Sequence, residues 1–236
     1  EISNPIPFEK NNFNTLVKKK KFVYFGRIHP HKNLDLIIEA FKKAKISEEW
    51  KFHIYGIVDD TQYLDKLNKL IGENKQIQIK DPIFNYEKQK ILEESWLNIL
   101  VSKSEVLSLS ILEASTFKLP SLVNDQIEMK DIEDSVIKTK PLISDIKIKL
   151  EEICNWSNKE RISKGISINT NVLEKTNVNT ILSKYSSLYE DFPTRNKDLL
   201  IEQESSFNIL SRANLKFFLI TSAYMFNLMF SSFIVV

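Results

Sequence analysis

Residues 21–41 read KFVYFGRIHPHKNLDLIIEAF. The first six, KFVYFG, are a short apolar run that ends in glycine, which is typical of a buried strand. Four apolar side chains then recur at i, i+3, i+4 and i+7, and so fall on one face of a helix: Leu34, Ile37, Ile38 and Phe41. Asn33 precedes them and is the predicted N-cap. This stretch therefore predicts a strand, a loop and a helix in succession.

The same strand–loop–helix pattern recurs downstream. We predict further strands at 51–56, 77–80, 97–102 and 120–125, with helices at 62–72, 86–95 and 109–117 between them. Beyond residue 126 the pattern is helical, with helices expected around 143–153, 157–166 and 181–189. Alternating strands and helices favour a parallel sheet covered on both faces. The expected fold class is α/β, a Rossmann-like doubly wound parallel sheet.

Composition excludes several classes of protein. The 236 residues include 33 basic and 31 acidic side chains, a net charge of +2, which argues against a nucleic-acid binder. Only four of the 236 residues are glycine, well below the typical share of about 7%. This scarcity excludes a collagen-like chain, a Gly/Ser linker protein and a β-propeller with periodic glycines. Cys154 is the single cysteine, so no intrachain disulfide framework or cysteine-rich zinc site is possible.

The chain divides into four predicted parts. Residues 1–20 are a linker or hinge, 21–192 a globular domain, 193–212 a polar linker, and 213–236 a hydrophobic helix. Residues 217–236 carry no charge, and about 20 such residues can span a bilayer. Arg212 and Lys216 would keep the start of that helix on the cytoplasmic side. A buried C-terminal helix and a truncated or read-through tail are the alternatives.

Two loops carry groups suited to an anionic, hydroxyl-bearing ligand, because ligands of open α/β sheets bind beyond the carboxyl ends of the strands. Arg27 and Lys32 lie before a helix N-terminus and suit a diphosphate. The alternative is two surface cations in a lysine-rich chain. Glu105 and Glu113 lie in SEVLSLSILEA (104–114) and can accept hydrogen bonds from sugar hydroxyls. The alternative is two solvent-facing carboxylates.

The three histidines give no metal signature. His29 and His31 share the first loop, but no carboxylate or cysteine joins them at the spacing of zinc ligands. His53 alternates within a predicted strand, which favours a structural role. We therefore predict no metal site.

The two loop segments resemble a known family when they are taken together. FGRIHPHKNLDLIIEAF (25–41) is similar to the start of the C-terminal domain of retaining glycosyltransferases of the GT-B fold, family 4, and 104–114 resembles their E-x7-E signature. KFHIYG (51–56), DPIF (81–84) and LPSLV (119–123) follow in the family's order, and NPIPFEK near the start resembles its interdomain hinge. The resemblance covers about residues 1–192.

The resemblance implies a role for each candidate residue. Arg27 and Lys32 would bind the diphosphate of a nucleotide-sugar donor, which approaches the backbone closely at Gly26. Glu113 would bind the ribose hydroxyls, and Glu105 would be the catalytic residue that contacts the donor sugar. Three backbone amides would complete the donor site: Leu107, Ser108 and Leu109.

The resemblance also implies the reaction and its setting. The enzyme would transfer a sugar with retention to a glycan or lipid-linked acceptor, in cell-surface polysaccharide assembly at the cytoplasmic face of a membrane. The reaction needs no cofactor or metal, since the two basic residues neutralise the diphosphate. The family's N-terminal domain binds the acceptor and has no counterpart in this sequence, so we expect no turnover by this chain alone.

Three departures from the family pattern keep other functions open. Val106 and Lys118 stand where the family usually has glycine, and NDQIEM (124–129) replaces its glycine-rich loop. The alternatives are a degenerate, non-catalytic scaffold, a GT-B nucleotide-sugar epimerase, and a transmembrane adaptor with an incidental α/β domain.

Overall fold

A computed structural model describes residues 18–105, 108–127 and 135–175, together with 183, 186 and 187. All the elements named below belong to the first of two compact units, residues 1–183. The predicted linkers and the C-terminal hydrophobic segment lie wholly or mostly outside the described residues, as does most of the helix predicted at 181–189. Within the described part, no helix is both long and apolar enough to cross a bilayer.

The centre of this unit is a sheet of six parallel strands. They are β1 (Lys21–Phe25), β2 (Lys51–Tyr55), β3 (Ile77–Lys80), β4 (Leu97–Leu100), β5 (Ser121–Asn124) and β6 (Ile137–Thr139). The spatial order is β3-β2-β1-β4-β5-β6, so the chain runs outward from β1 in one direction and then from β4 in the other. This reversal between β1 and β4 is the topological switch point of a doubly wound sheet. The predicted fold class is confirmed.

In the described residues, six α-helices connect and flank the strands. They are α1 (Leu34–Lys43), α2 (Thr61–Ile71), α3 (Asn85–Glu94), α4 (Leu109–Thr116), α5 (Ile143–Cys154) and α6 (Asn158–Lys175). Helix α1 packs against α2 and α5, whereas α4 packs against α6. Asp60 caps α2 through the Tyr63 amide at 2.8 Å, and Ser157 with Glu160 forms a capping box at the start of α6.

The apolar run of β1 is buried on both faces of the sheet. Phe22 and Tyr24 belong to the larger core cluster, whereas Val23 and Phe25 belong to a smaller one with residues of α3 and α4. Successive side chains of a strand point to opposite faces, so an unbroken apolar run is what a sheet covered on both faces requires.

The structure corrects three predictions. β6 was missed, because residues beyond 126 were predicted to be helical only. Helix α6 continues to Lys175, well beyond the predicted end at 166. Asn33 does occupy the N-cap position of α1, but its side chain does not cap the helix: its Nδ2 donates to the carbonyl of Val101 at 2.9 Å.

Candidate functional site

The loops after β1 and β2 touch at the carboxyl edge of the sheet. The Gly26 amide donates to the Tyr55 carbonyl at 3.1 Å, and the Ile28 amide donates to the Ile57 carbonyl at 2.8 Å. A Cβ added at Gly56 would lie 1.9 Å from the carbonyl oxygen of Gly26. Only glycine fits at position 56, and this close approach fixes where the Gly26 loop leaves the sheet.

The loop after β4 is fastened to the loop after β1 and to the end of β5. The Lys103 amide donates to the His31 carbonyl at 2.8 Å. The buried amides of Asn33 and Asn124 donate to the carbonyls of Val101 and Ser102. Buried amide–carbonyl bonds are costly to break, so the contacts of Asn33 and Asn124 hold the loop that carries Glu105 in a fixed place.

Lys32 and Glu105 meet across this junction. The Nζ of Lys32 lies 2.6 Å from Oε1 of Glu105, and the two side chains are only 16% and 14% exposed. Partial burial weakens screening by water, so the attraction between the two charges is stronger than on an open surface. The structure thus brings together the predicted phosphate ligand and the predicted catalytic carboxylate.

Arg27 points instead toward the loop after β2. Its Nη1 donates to Asp59 Oδ2 at 2.9 Å, and both side chains are exposed. Such a pair contributes about 1 kcal/mol or less, so the guanidinium is easily redirected to a ligand. The Tyr24 hydroxyl donates to the Arg27 carbonyl at 2.8 Å. Burial, with the nearby Glu105 charge, raises the pKa of Tyr24 and keeps this hydroxyl protonated.

Glu113 does not face solvent. Its carboxylate lies on α4 with the side chain 13% exposed, and its Oε2 is 2.5 Å from the Nζ of Lys88 on α3. The solvent-facing alternative for Glu113 is therefore wrong. A carboxylate this buried needs a partner, and Lys88 supplies it.

The backbone residues of the predicted donor site lie at the start of α4. Ser108 is buried at the N-cap position, but its side chain makes no capping hydrogen bond. Leu109 is the first residue of the helix and is 48% exposed. Leu107 and Val106 lie outside the described residues.

The histidines make local contacts. The Nδ1 of His29 accepts from the His31 amide at 3.2 Å, and the two rings stack with centroids 5.6 Å apart. On β2, Nδ1 of His53 lies 3.3 Å from the Tyr55 hydroxyl, and burial lowers the pKa of His53 to about 4. Within the described ranges, no three His, Cys, Asp or Glu side chains are grouped to hold a metal ion.

Three polar residues of this region were not predicted from the sequence: Asp59, Lys88 and Asn124. Asp59 follows β2 and Asn124 ends β5, so both lie where the predicted topology already placed the ligand edge. Lys88 gave no such signal, because its contact with Glu113 depends on how α3 and α4 pack.

A doubly wound sheet with cations and carboxylates at its switch point is the architecture of a donor-binding domain in GT-B glycosyltransferases. The family model for glycosyl transferases group 1 matches residues 6–135, and the chain belongs to that family. No match to a curated protein sequence was found.

Solved glycosyltransferases share this fold. S. aureus TarM, in a complex with fondaparinux, α-GlcNAc-glycerol and UDP, is 27% identical with a TM-score of 0.65, over 80% of this chain and 38% of that chain. Anabaena HepE with UDP and glucose is 13% identical with a TM-score of 0.63, over 74% and 49%. A Rickettsia africae glycosyltransferase is 15% identical with a TM-score of 0.64, over 75% and 48%. The chain thus spans less than half the length of these proteins.

Proposed function

We propose that this chain is the donor-binding part of a glycosyltransferase that moves a sugar from a uridine-diphosphate sugar to a glycan or lipid-linked acceptor, with retention, as in family 4. The observation that carries the proposal is the contact between Lys32 and Glu105, which joins the predicted phosphate ligand to the first E-x7-E carboxylate at the carboxyl edge of the sheet. UDP in the TarM and HepE complexes supports the choice of nucleotide. Cell-surface polysaccharide assembly is the proposed setting.

The proposed mechanism divides the work among four side chains. Arg27 and Lys32 neutralise the diphosphate, so it leaves the anomeric carbon without a metal ion. Glu113 holds the ribose, and Glu105 contacts the sugar. An acceptor hydroxyl forms its bond to the anomeric carbon on the face that the diphosphate leaves, and its proton passes to the departing phosphate oxygen. The acceptor binds on a second domain, so this chain alone does not turn over.

Calorimetric titration of UDP and UDP-glucose into the 236-residue chain tests the donor site. We expect Glu113→Gln to weaken both affinities about tenfold or more, because a charge-assisted hydrogen bond is lost. Glu152→Gln is the matched control, since Glu152 pairs with Lys149 at 2.7 Å on α5 at an exposed position. Equal affinity of the wild type and Glu113→Gln would refute the assignment.

A degenerate scaffold is the second candidate, and the ion pairs of Glu105 and Glu113 favour it, because both carboxylates already have cationic partners. Val106→Gly, placed in a chain that also carries an acceptor-binding domain, separates the two functions. A gain in transfer supports a weakened enzyme. No transfer with or without the substitution supports the scaffold.

The C-terminal segment 213–236 is proposed to hold the enzyme at the cytoplasmic face of a membrane, near a lipid-linked acceptor. Flotation of the chain with liposomes, with and without 213–236, tests this. Equal recovery of both forms in the lipid fraction would contradict it.

A further inference from the structure

The lysine that contacts Glu113 is held from two sides. Lys88 lies on α3, and its Nζ is 2.5 Å from Glu113 Oε2 and 5.2 Å from the centre of the Phe25 ring. Only 18% of its side chain is exposed. A cation with both a carboxylate and an aromatic face loses much of its freedom to reorient.

The aromatic side of this contact is itself fixed. Phe25 stacks on Tyr55 with ring centroids 5.1 Å apart and planes 13° from parallel. The two rings end β1 and β2, directly before the glycines that close the edge of the sheet. Lys88 therefore links the Glu113 carboxylate on α4 to the ends of β1 and β2.

Only one oxygen of Glu113 is used in this contact. Lys88 contacts Oε2, and no hydrogen bond to Oε1 comes from any residue in the described ranges. A carboxylate oxygen has room for about two donors, so Oε1 is the atom left for a ligand hydroxyl.

We propose that Lys88 is a positioning residue of the donor site, which aims Glu113 at the ribose hydroxyls of the nucleotide. It contacts no reacting atom and acts only through Glu113. This inference rests on the proposed function, because it takes Glu113 as the ribose ligand. It predicts that losing Lys88 weakens the recognition of the two hydroxyls selectively, whereas a lysine that merely stabilises the fold would affect every ligand equally.

The test compares UDP with 2′,3′-dideoxy-UDP, which lacks the two hydroxyls. For the wild-type chain we expect UDP to bind about tenfold more tightly than the dideoxy analogue. For Lys88→Met we expect that preference to fall to threefold or less, through weaker UDP binding, while the affinity for the analogue stays nearly unchanged. Lys88→Arg keeps the charge and should retain most of the preference.

Lys66→Met is the matched control. Lys66 also pairs with a carboxylate, Asp35 at 2.6 Å, and lies over an aromatic ring, that of Tyr63 at 5.9 Å. The Lys66→Met variant should keep the wild-type preference for UDP over the dideoxy analogue. Lys88→Gln replaces Lys88→Met if circular dichroism shows that the methionine variant is unfolded.

The outcomes separate the two proposals. A wild-type chain that binds neither nucleotide, or shows no preference for UDP, overturns the ribose role of Glu113 and this inference with it. A wild-type preference that survives unchanged in Lys88→Met overturns the role of Lys88 and leaves the donor site standing. If Lys88→Met and Glu113→Gln each lose the preference for UDP, and the double variant loses no more, the positioning role of Lys88 is supported.

Discussion

The Nζ of Lys32 lies 2.6 Å from Oε1 of Glu105, so one ion pair joins the loop after β1 to the loop after β4 across the switch point of the sheet. The pair closes the edge where the proposed diphosphate binds. A diphosphate that reaches Lys32 must share it with a carboxylate of the same sign as itself. Glu105 therefore opposes the binding of the nucleotide alone.

We predict that Glu105→Gln binds UDP about three- to tenfold more tightly than the wild type, since Lys32 is freed and a repulsive charge is removed. UDP lacks the transferred sugar of the donor, so the contact proposed between Glu105 and that sugar does not enter this measurement. Calorimetry at constant ionic strength gives the affinities, with Glu152→Gln as the control. Weaker binding by Glu105→Gln would show that the carboxylate does not compete for Lys32.

The sequence predicted the parts of the fold that depend on local pattern. The run 22–25 is apolar throughout because both faces of β1 are buried, and the apolar stripe of α1 faces the core with Leu34, Ile37, Ile38 and Phe41 all buried. β6 was not predicted because it is only three residues long, IKT, and lies at one edge of the sheet, where only Thr139 is buried. Such a strand has too few apolar residues to show a period.

The sequence predicted which loops form the candidate site, but it did not predict which side chains contact each other there. Parallel topology places the loops after β1 and β4 side by side, so Lys32 and Glu105 were expected at the same edge. Their direct pairing depends on the amides of Asn33 and Asn124, which fix the loop after β4. Lys88 contacts Glu113 because α3 packs close to α4. The spacing of these two residues in the sequence does not predict that contact.

Lys118 occupies a left-handed turn that the family usually fills with glycine. Its φ is 52°, which costs a residue with a Cβ about 1–2 kcal/mol. We predict that Lys118→Gly stabilises the chain by roughly 0.5–1 kcal/mol, because relief of strain exceeds the entropy that glycine adds to the unfolded chain. Urea unfolding measures the change. Lys118→Ala keeps the strain and should change stability little, so an equal gain from alanine would contradict this reason.

Gly165 is where α6 approaches the same turn. A Cβ at this position would lie 2.0 Å from the carbonyl oxygen of Lys118 and 2.8 Å from its carbonyl carbon. We predict that Gly165→Ala lowers the free energy of unfolding by about 2–3 kcal/mol, despite the better helix propensity of alanine, because the backbone of the turn must move.

Ser163→Ala in the same helix is the control for Gly165→Ala, because Ser163 is exposed. This substitution should change the free energy of unfolding by no more than about 0.5 kcal/mol. Both variants are unfolded in urea and followed by tryptophan fluorescence. Unchanged stability of Gly165→Ala would mean that α6 does not lie against this turn.

His53 makes stability depend on pH in a defined window. Burial and the charges of Lys80, Lys21 and Lys51 lower its pKa from 6.5 to about 4, so only the unfolded chain takes up this proton between those values. The free energy of unfolding therefore falls as the pH drops below about 6.5 and levels off near pH 4. Because the ring is only partly buried, we expect a loss of about 1–2 kcal/mol. The difference between wild-type and His53→Gln urea curves, measured from pH 7.5 to 4.5, isolates this contribution, and parallel curves would show that His53 does not cause it.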